Sequence, residues 1–207
     1  MNSMNWVGGV VGIAVAASAS AAVVVRSYEG GLEIARNPLG IYLDIETGEW
    51  GTSPSTRPAG WDLQFYGTSG LNFLAPEGYR FARFDSAPGT SGPSVLPYLY
   101  EIAPSMNSSP DPDFAPASWI TGGAASGLIA NSDQNYVGFR FVAATGSTHY
   151  GWMRFAVEGT PEAGIRRLLA YGYEDVANAP ISAGAVPAPG AIALLGLAAA
   201  RRTRRRA

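Results

Sequence analysis

The chain has 207 residues, enough for one domain with a sizeable core, and no cysteine, which excludes disulfide frameworks, thiolate metal sites and cysteine nucleophiles. All 14 basic residues are arginine; five lie in the last seven positions and Arg26 closes an N-terminal apolar run, so residues 27–200 hold eight arginines against 16 acidic residues, a formal charge of −8. An acidic body of this kind argues against a nucleic-acid partner, because neutralising phosphates needs a basic face.

With 26 glycines and 15 prolines the chain turns often, and 11 % aromatic against only 14 % charged residues places it among folded rather than disordered sequences. From Trp6 to Val25 no residue is charged, and the small residues Ala19, Ser20 and Ala21 fit the small-x-small pattern that precedes a signal-peptide cleavage site. Residues 1–21 are therefore expected to be a signal peptide cut between Ala21 and Ala22. The segment "MNSMN" before the run carries only the α-amino charge, and the run is long enough to span a bilayer if left uncut. An uncleaved anchor and a buried helix of the fold remain as alternatives.

Beyond Arg26 alternation at period two replaces helical periodicity. It predicts strands at 41–46, 61–66, 136–142, 148–158 and 165–174, with weaker ones at 32–36, 70–75, 79–84 and 96–102. Ile41, Leu43 and Ile45 oppose Tyr42, Asp44 and Glu46; Trp61, Leu63 and Phe65 oppose Asp62, Gln64 and Tyr66; Val137, Phe139 and Phe141 oppose Tyr136, Gly138 and Arg140. Each reads as a half-buried strand. The stretches 51–60 and 103–127, crowded with Pro, Ser and Gly, read as loops. The expected fold is all-β: a single antiparallel β-sandwich or jelly-roll-like domain over residues 22–184, with a signal helix before it and a short hydrophobic helix after it.

Candidate chemistry inside the body is sparse. Asp44 and Glu46 stand two apart on one expected strand and so share a face, the arrangement acid and base catalysis would need, although a solvated outer face explains them as well. Asp111, Asp113 and Asp133 offer oxygen ligands for Ca²⁺ but lack EF-hand spacing. The single histidine, His149, cannot build a typical zinc site alone and reads as a half-covered strand residue. No cofactor is called for and no metal site is assigned. Trp50, Trp61, Tyr66, Trp119 and Trp152 are either core residues or faces for sugar rings.

The ending "VPAPGAIALLGLAAARRTRRRA" has three parts: Val186, Pro187, Ala188 and Pro189; an uncharged block from Gly190 to Ala200; and Arg201, Arg202, Arg204, Arg205 and Arg206. As a helix the 11-residue block would measure about 17 Å, short of a hydrocarbon core of about 30 Å, so thinning and snorkelling would have to cover the deficit. The arginines would stay on the cytoplasmic side, making a stop-transfer element.

This ending resembles the PEP-CTERM sorting signal of exported proteins in Gram-negative bacteria that make exopolysaccharide, with Ala188 where that motif has Glu. "YVGFRF", "HYGWMRF" and "AYGYEDVANAPISAGAVPAP" are similar to strands that commonly precede the signal. The resemblance implies recognition by an exosortase-type membrane protease, a transient membrane anchor, and delivery to the cell surface or extracellular matrix. The expected function is thus that of a non-enzymatic exported surface or matrix protein, associated with exopolysaccharide. The alternative is a secreted glycan-binding protein or glycan hydrolase using Asp44 and Glu46. A concave cleft of about 300 Å³ or more with aromatic walls around that pair would favour the enzyme.

Overall fold

Strand-forming alternation and frequent turns produce thirteen strands, and no helix, among the described residues of the computed structural model, which are 22–76, 78–84, 92–106 and 117–187. Six strands form one antiparallel sheet: β1 (Val23–Glu33), β12 (Ile165–Glu174), β11 (Thr148–Glu158), β10 (Ser132–Val142), β6 (Arg80–Phe84) and β8 (Ala117–Ile120), in that spatial order. A second antiparallel sheet of five runs β3 (Trp50–Gly51), β2 (Ile41–Leu43), β4 (Leu63–Tyr66), β5 (Asn72–Leu74) and β9 (Gly122–Ala124). A short pair joins β13 (Ile181–Ser182) to β7 (Glu101–Ile102).

The inner faces of the two large sheets share one core. Phe65 and Phe73 from the five-stranded sheet meet Phe81 and Phe155 from the six-stranded one, with ring centroids 5.1 to 5.4 Å apart in edge-to-face pairs. Ile41, Leu43, Leu63, Val137, Phe139, Met153 and Leu168 complete this cluster, all at most 1 % exposed. The inward sets Ile41/Leu43, Leu63/Phe65 and Val137/Phe139/Phe141 are those the alternation picks out.

The opposite face of the six-stranded sheet departs from the expectation of half-buried strands, because it is covered too. Tyr136, Tyr150, Trp152 and Ala170 pack beneath Leu96, Ile102, Met106, Ile181 and Ala183. Gly138 permits that cover: a Cβ there would lie 2.9 Å from the Leu96 Cδ1 and 3.1 Å from the Ala82 Cβ. The chain segments that form the cover are irregular, held by the short pairing Ile181↔Ile102 and Ser182↔Glu101 and by an antiparallel bridge from Leu96 to Tyr136, so beyond the weaker strand expected at 96–102 periodicity gives little warning of them.

Two local expectations are corrected. The strand expected over 41–46 stops at Leu43, because Asp44 starts a tight turn in which its carbonyl accepts from Gly48 N–H (2.9 Å) and its Oδ1 from Thr47 N–H (2.8 Å). The loop expected over 103–127 contains β8 and β9, which pair with β6 and β5 and so extend the two large sheets at one edge each. β9, Gly-Gly-Ala, carries little strand propensity and is extended through its pairing with β5, whereas Trp119 and Ile120 of β8 favour a strand but sit in a stretch crowded with Pro, Ser and Gly. The expected strands at 148–158 and 165–174 coincide with β11 and β12.

Candidate functional site

The turn after β2 and the hairpin turn between β10 and β11 meet at one end of the two sheets. Glu46 bridges them, its Oε2 accepting from Ala144 N–H at 2.8 Å. Two hollows open on either side of Glu46 and Ala143: one of about 480 Å³ lined by Asp44, Glu46, Asp62, Tyr79 and Val142, the other of about 300 Å³ lined by Glu46, Ser147, His149, Tyr173 and Asp175.

In the larger hollow each carboxylate is tied to backbone. Asp44 caps its own turn, Glu46 holds Ala144, and Asp62 Oδ2 accepts from Ile45 N–H at 2.6 Å. Asp62, read from the alternation as outward-facing, is 5 % exposed with its carboxylate turned to the Ile45 N–H; Tyr42 and Gln64 are buried too, Tyr42 against Trp61 and Arg57 of the preceding loop and Gln64 donating to the Leu39 carbonyl. Burial raises its carboxyl to about 6, against the opposing pull of the Ile45 N–H, and the charges of Asp44 and Glu46 add to the rise. Tyr79 donates to the Val142 carbonyl at 3.0 Å, and burial first, then Asp62, push its hydroxyl upward.

This arrangement has a consequence for stability. A carboxyl raised in the folded state contributes stability that is fully present below its unfolded value of 3.8 and is lost as pH climbs through about 6. Asp62→Asn, which keeps an acceptor for Ile45 N–H, is expected to match the native protein near pH 4 and to exceed it by about 2 kcal/mol at pH 8. Urea denaturation at the two pH values checks this. An equal difference at both would mean that Asp62 ionises without cost in the fold.

In the smaller hollow His149 is 7 % exposed, its ring stacked on Phe141 at 5.5 Å and edge-on to Tyr173. Nδ1 faces the Glu174 carbonyl at 2.8 Å, and a carbonyl only accepts, so Nδ1 carries the proton. In the neutral ring Nε2 then accepts from the Ser147 hydroxyl at 2.9 Å. A serine hydroxyl directed at an imidazole lone pair is a proton-transfer geometry, but the neighbouring Ala144 N–H is already engaged by Glu46. Ser147 and Thr145 also share a hydrogen bond at 2.7 Å, so the pair is built into the hairpin turn.

The aromatic candidates separate by burial. Trp152 is core, 4 % exposed; Trp119 packs near Tyr150 under the Arg140 guanidinium; Trp61 stands edge-on to Tyr42 with Arg57 over both rings; Tyr66 is half-buried. Trp50, at 46 %, is the exposed one of the five. None of the five lines either hollow, whose aromatic walls are Tyr79, Phe141 and Tyr173. Asp133 is exposed and accepts from the Gln134 side chain, whereas Asp111 and Asp113 lie outside the described residues. Among the described residues no group of three or more His, Asp or Glu side chains is placed to hold a metal ion.

Asp44 and Glu46 are thus brought to one hollow, as their spacing suggested, though by a turn rather than a strand face. Asp62 and Tyr79 join them there, and Ser147 shares the smaller hollow with Glu46, through contacts 17 to 98 residues apart in sequence that leave no local signal, as the Ile45–Asp62 and Glu46–Ala144 bonds illustrate.

At the chain ends, Ala22 is the first described residue and Pro187 the last. Trp152 Nε1 donates to the Ala185 carbonyl at 3.1 Å, and Ala183 exchanges hydrogen bonds with Leu99 and Tyr100. Val186 is then 67 % exposed, and Pro187 is exposed as well. Ala21, Ala188, Pro189, the apolar block and the five terminal arginines lie outside the described residues, as do the two expected terminal helices. No helix among the described residues is long and apolar enough to cross a membrane. Comparison of the chain with protein-family models, with curated proteins and with solved structures returned no match.

Proposed function

We propose that the protein is an exported, non-enzymatic cell-surface or extracellular-matrix protein whose body is a single antiparallel β-sandwich and whose C-terminal segment is a PEP-CTERM-like sorting signal. The observation that carries this reading is the three-part ending: Val186 to Pro189, an uncharged block, then five arginines, in a chain whose first 25 residues are also uncharged after the α-amino group. Its place relative to the fold supports it. Among the described residues the last hydrogen bond to the core is at Ala185, and the exposed Val186 and Pro187 follow at once, as a segment accessible to a membrane protease requires. The partners are export machinery, an exosortase-type protease and, after delivery, exopolysaccharide; before processing the tail holds the protein at the cytoplasmic membrane.

The test is deletion of residues 188–207. On the sorting reading the deleted segment is no part of the folded body, so stability is expected to change by no more than about 0.5 kcal/mol, while retention at the cell envelope is lost and the protein enters the medium or periplasm. Thermal denaturation and fractionation of the native host read the two effects. A truncated chain that stays on the surface, or a mature protein that keeps its arginines, sinks the sorting reading.

A second reading, glycan binding or hydrolysis, draws on the 480 Å³ hollow with Asp44 and Glu46 on its wall and Asp62 beside them at about 6. All three carboxylates already hold backbone N–H groups, which favours a structural role and the non-enzymatic reading. Release of reducing ends from host exopolysaccharide, abolished by Asp62→Asn, would reverse that order.

A further inference from the structure

The corner where β1 begins holds two carboxylates around one backbone nitrogen. Ala22 N donates to Asp175 Oδ1 at 2.9 Å, the Asp175 N–H returns a bond to the Ala22 carbonyl at 3.2 Å, and Val23 pairs with Glu174. Glu174 is 4 % exposed, and its Oε1 accepts from Val176 N–H. Burial pushes its carboxyl upward, the Val176 N–H opposes this, the adjacent Asp175 pushes it further up, and the Ala22 N–H adds a smaller downward pull. Among the described residues neither carboxylate makes an ion pair with an arginine. Two acids therefore converge on a neutral amide that offers one proton.

We propose that Asp175 and Glu174 form a receptor for the α-ammonium of Ala22, created when the chain is cut between Ala21 and Ala22. The inference rests on the export reading above and adds to it a folded-state role for the new terminus. Water adds across the Ala21–Ala22 peptide bond; the removed segment leaves as a carboxylate, and the amine takes up a proton. The nitrogen then carries a full positive charge and three donors where it had one. One keeps Asp175 Oδ1, and the others serve Glu174, whose buried charge gains the cation it lacks. Three independent features agree on this bond: small residues at Ala19 and Ala21, the start of β1 one residue later at Val23, and the Asp175 carboxylate already seated on the Ala22 nitrogen. Processing at a neighbouring bond would place the charge beyond that grip or remove the nitrogen. Processing thereby favours the folded body over its precursor.

The charged and titratable groups around this corner are Glu174 and Asp175, then Glu46, His149 and Tyr173 lining the adjoining hollow, and Arg26 on β1. Acids outnumber the single guanidinium there, so the field at Ala22 favours a cation.

The chain contains no lysine, so the α-amine of the mature protein is its only primary amine and takes up a single acyl label. The full chain is exported in a bacterial host, extracted in mild detergent, and its first residue read by intact mass. Labelling with acetic anhydride is then followed by mass against pH. The expected result is a chain starting at Ala22 whose amine titrates above the ordinary 7.7–8.0, so that at pH 7.5 it reacts roughly threefold or more slowly than in Asp175→Asn. Asp175→Glu, which keeps the charge, should react slowly like the native chain. Circular dichroism confirms that the variants fold; Asp175 is exposed, so the substitution leaves the core untouched.

An exported chain beginning at another residue overturns the receptor and leaves export standing. So does an Ala22 terminus that labels at the ordinary rate with no response to Asp175→Asn. A chain retained uncut in the cytoplasm overturns the export reading, and the receptor falls with it.

Discussion

Phe73→Ala is expected to destabilise the body by about 3–5 kcal/mol, the range for deleting a buried aromatic ring, read by chemical denaturation at neutral pH. Phe73 is 1 % exposed on β5 and touches Phe65 on its own sheet and Phe81 and Phe155 across the core, all at centroid distances of 5.1 to 5.4 Å. Removing it leaves three rings facing a void that short strands on both sides cannot close, because β5 is pinned between β4 and β9 by backbone pairing. Phe73→Leu, which fills most of the space but loses the edge-to-face geometry, should cost less than half as much. A loss under about 1 kcal/mol for Phe73→Ala would mean that the two sheets do not share this core.

The second large effect is expected at Arg166. Its side chain is 0 % exposed, yet no carboxylate faces it: Nη1 donates to the Gly70 carbonyl and Nη2 to the Gly67 carbonyl at 2.8 Å, while Nε has no partner. Arg36 grips the same turn from outside, through the Thr68 carbonyl at 3.2 Å, and reaches Ala163 at 3.1 Å. Burial, and the positive charge of Arg36, lower the affinity of the Arg166 guanidinium for its proton. The fold retains this costly group because it ties the β4–β5 turn to β12 on the other sheet. Arg166→Ala should cost about 3 kcal/mol, from two lost charge-assisted hydrogen bonds and the cavity left behind. Arg166→Met keeps the volume and donates nothing, so it isolates the hydrogen bonds. If that variant is as stable as the native protein, the turn carbonyls find water and the guanidinium is not needed there.

Both predictions rest on contacts between sheets, and that is where reading the sequence stops. Val137/Phe139/Phe141 and the long runs of β11 and β12 announce themselves by period two, since side chains alternate across a strand and one face must leave water. Asp44 and Glu46 announce a shared site by spacing alone, and they do share one. Asp62 does not: the same alternation that places Leu63 and Phe65 in the core assigns Asp62 and Gln64 to solvent, whereas Asp62 is drawn to the Ile45 N–H and Gln64 to the Leu39 carbonyl, partners 17 and 25 residues away. The strand β9 is hidden for a similar reason, as pairing with β5 rather than propensity makes Gly122–Ala124 extended, while the strand formers Trp119 and Ile120 of β8 are lost in the Pro-, Ser- and Gly-rich stretch around them.

By itself, then, the sequence determined the all-β class, the inward sets Ile41/Leu43, Leu63/Phe65 and Val137/Phe139/Phe141, the absence of thiol chemistry and the charge asymmetry between an acidic body and an arginine ending, though not the length of β1, of which it marked only the end. These follow from local periodicity and composition, which need no knowledge of what lies opposite. Only the tertiary structure decided that the six-stranded sheet is covered on both faces, that Asp62 is buried near two other acids, that Arg166 is sealed against two carbonyls, and that Asp175 grips the nitrogen of Ala22. Each depends on two segments from 17 to 153 residues apart meeting in space, and burial, hydrogen bonding and the resulting proton affinities are properties of that meeting.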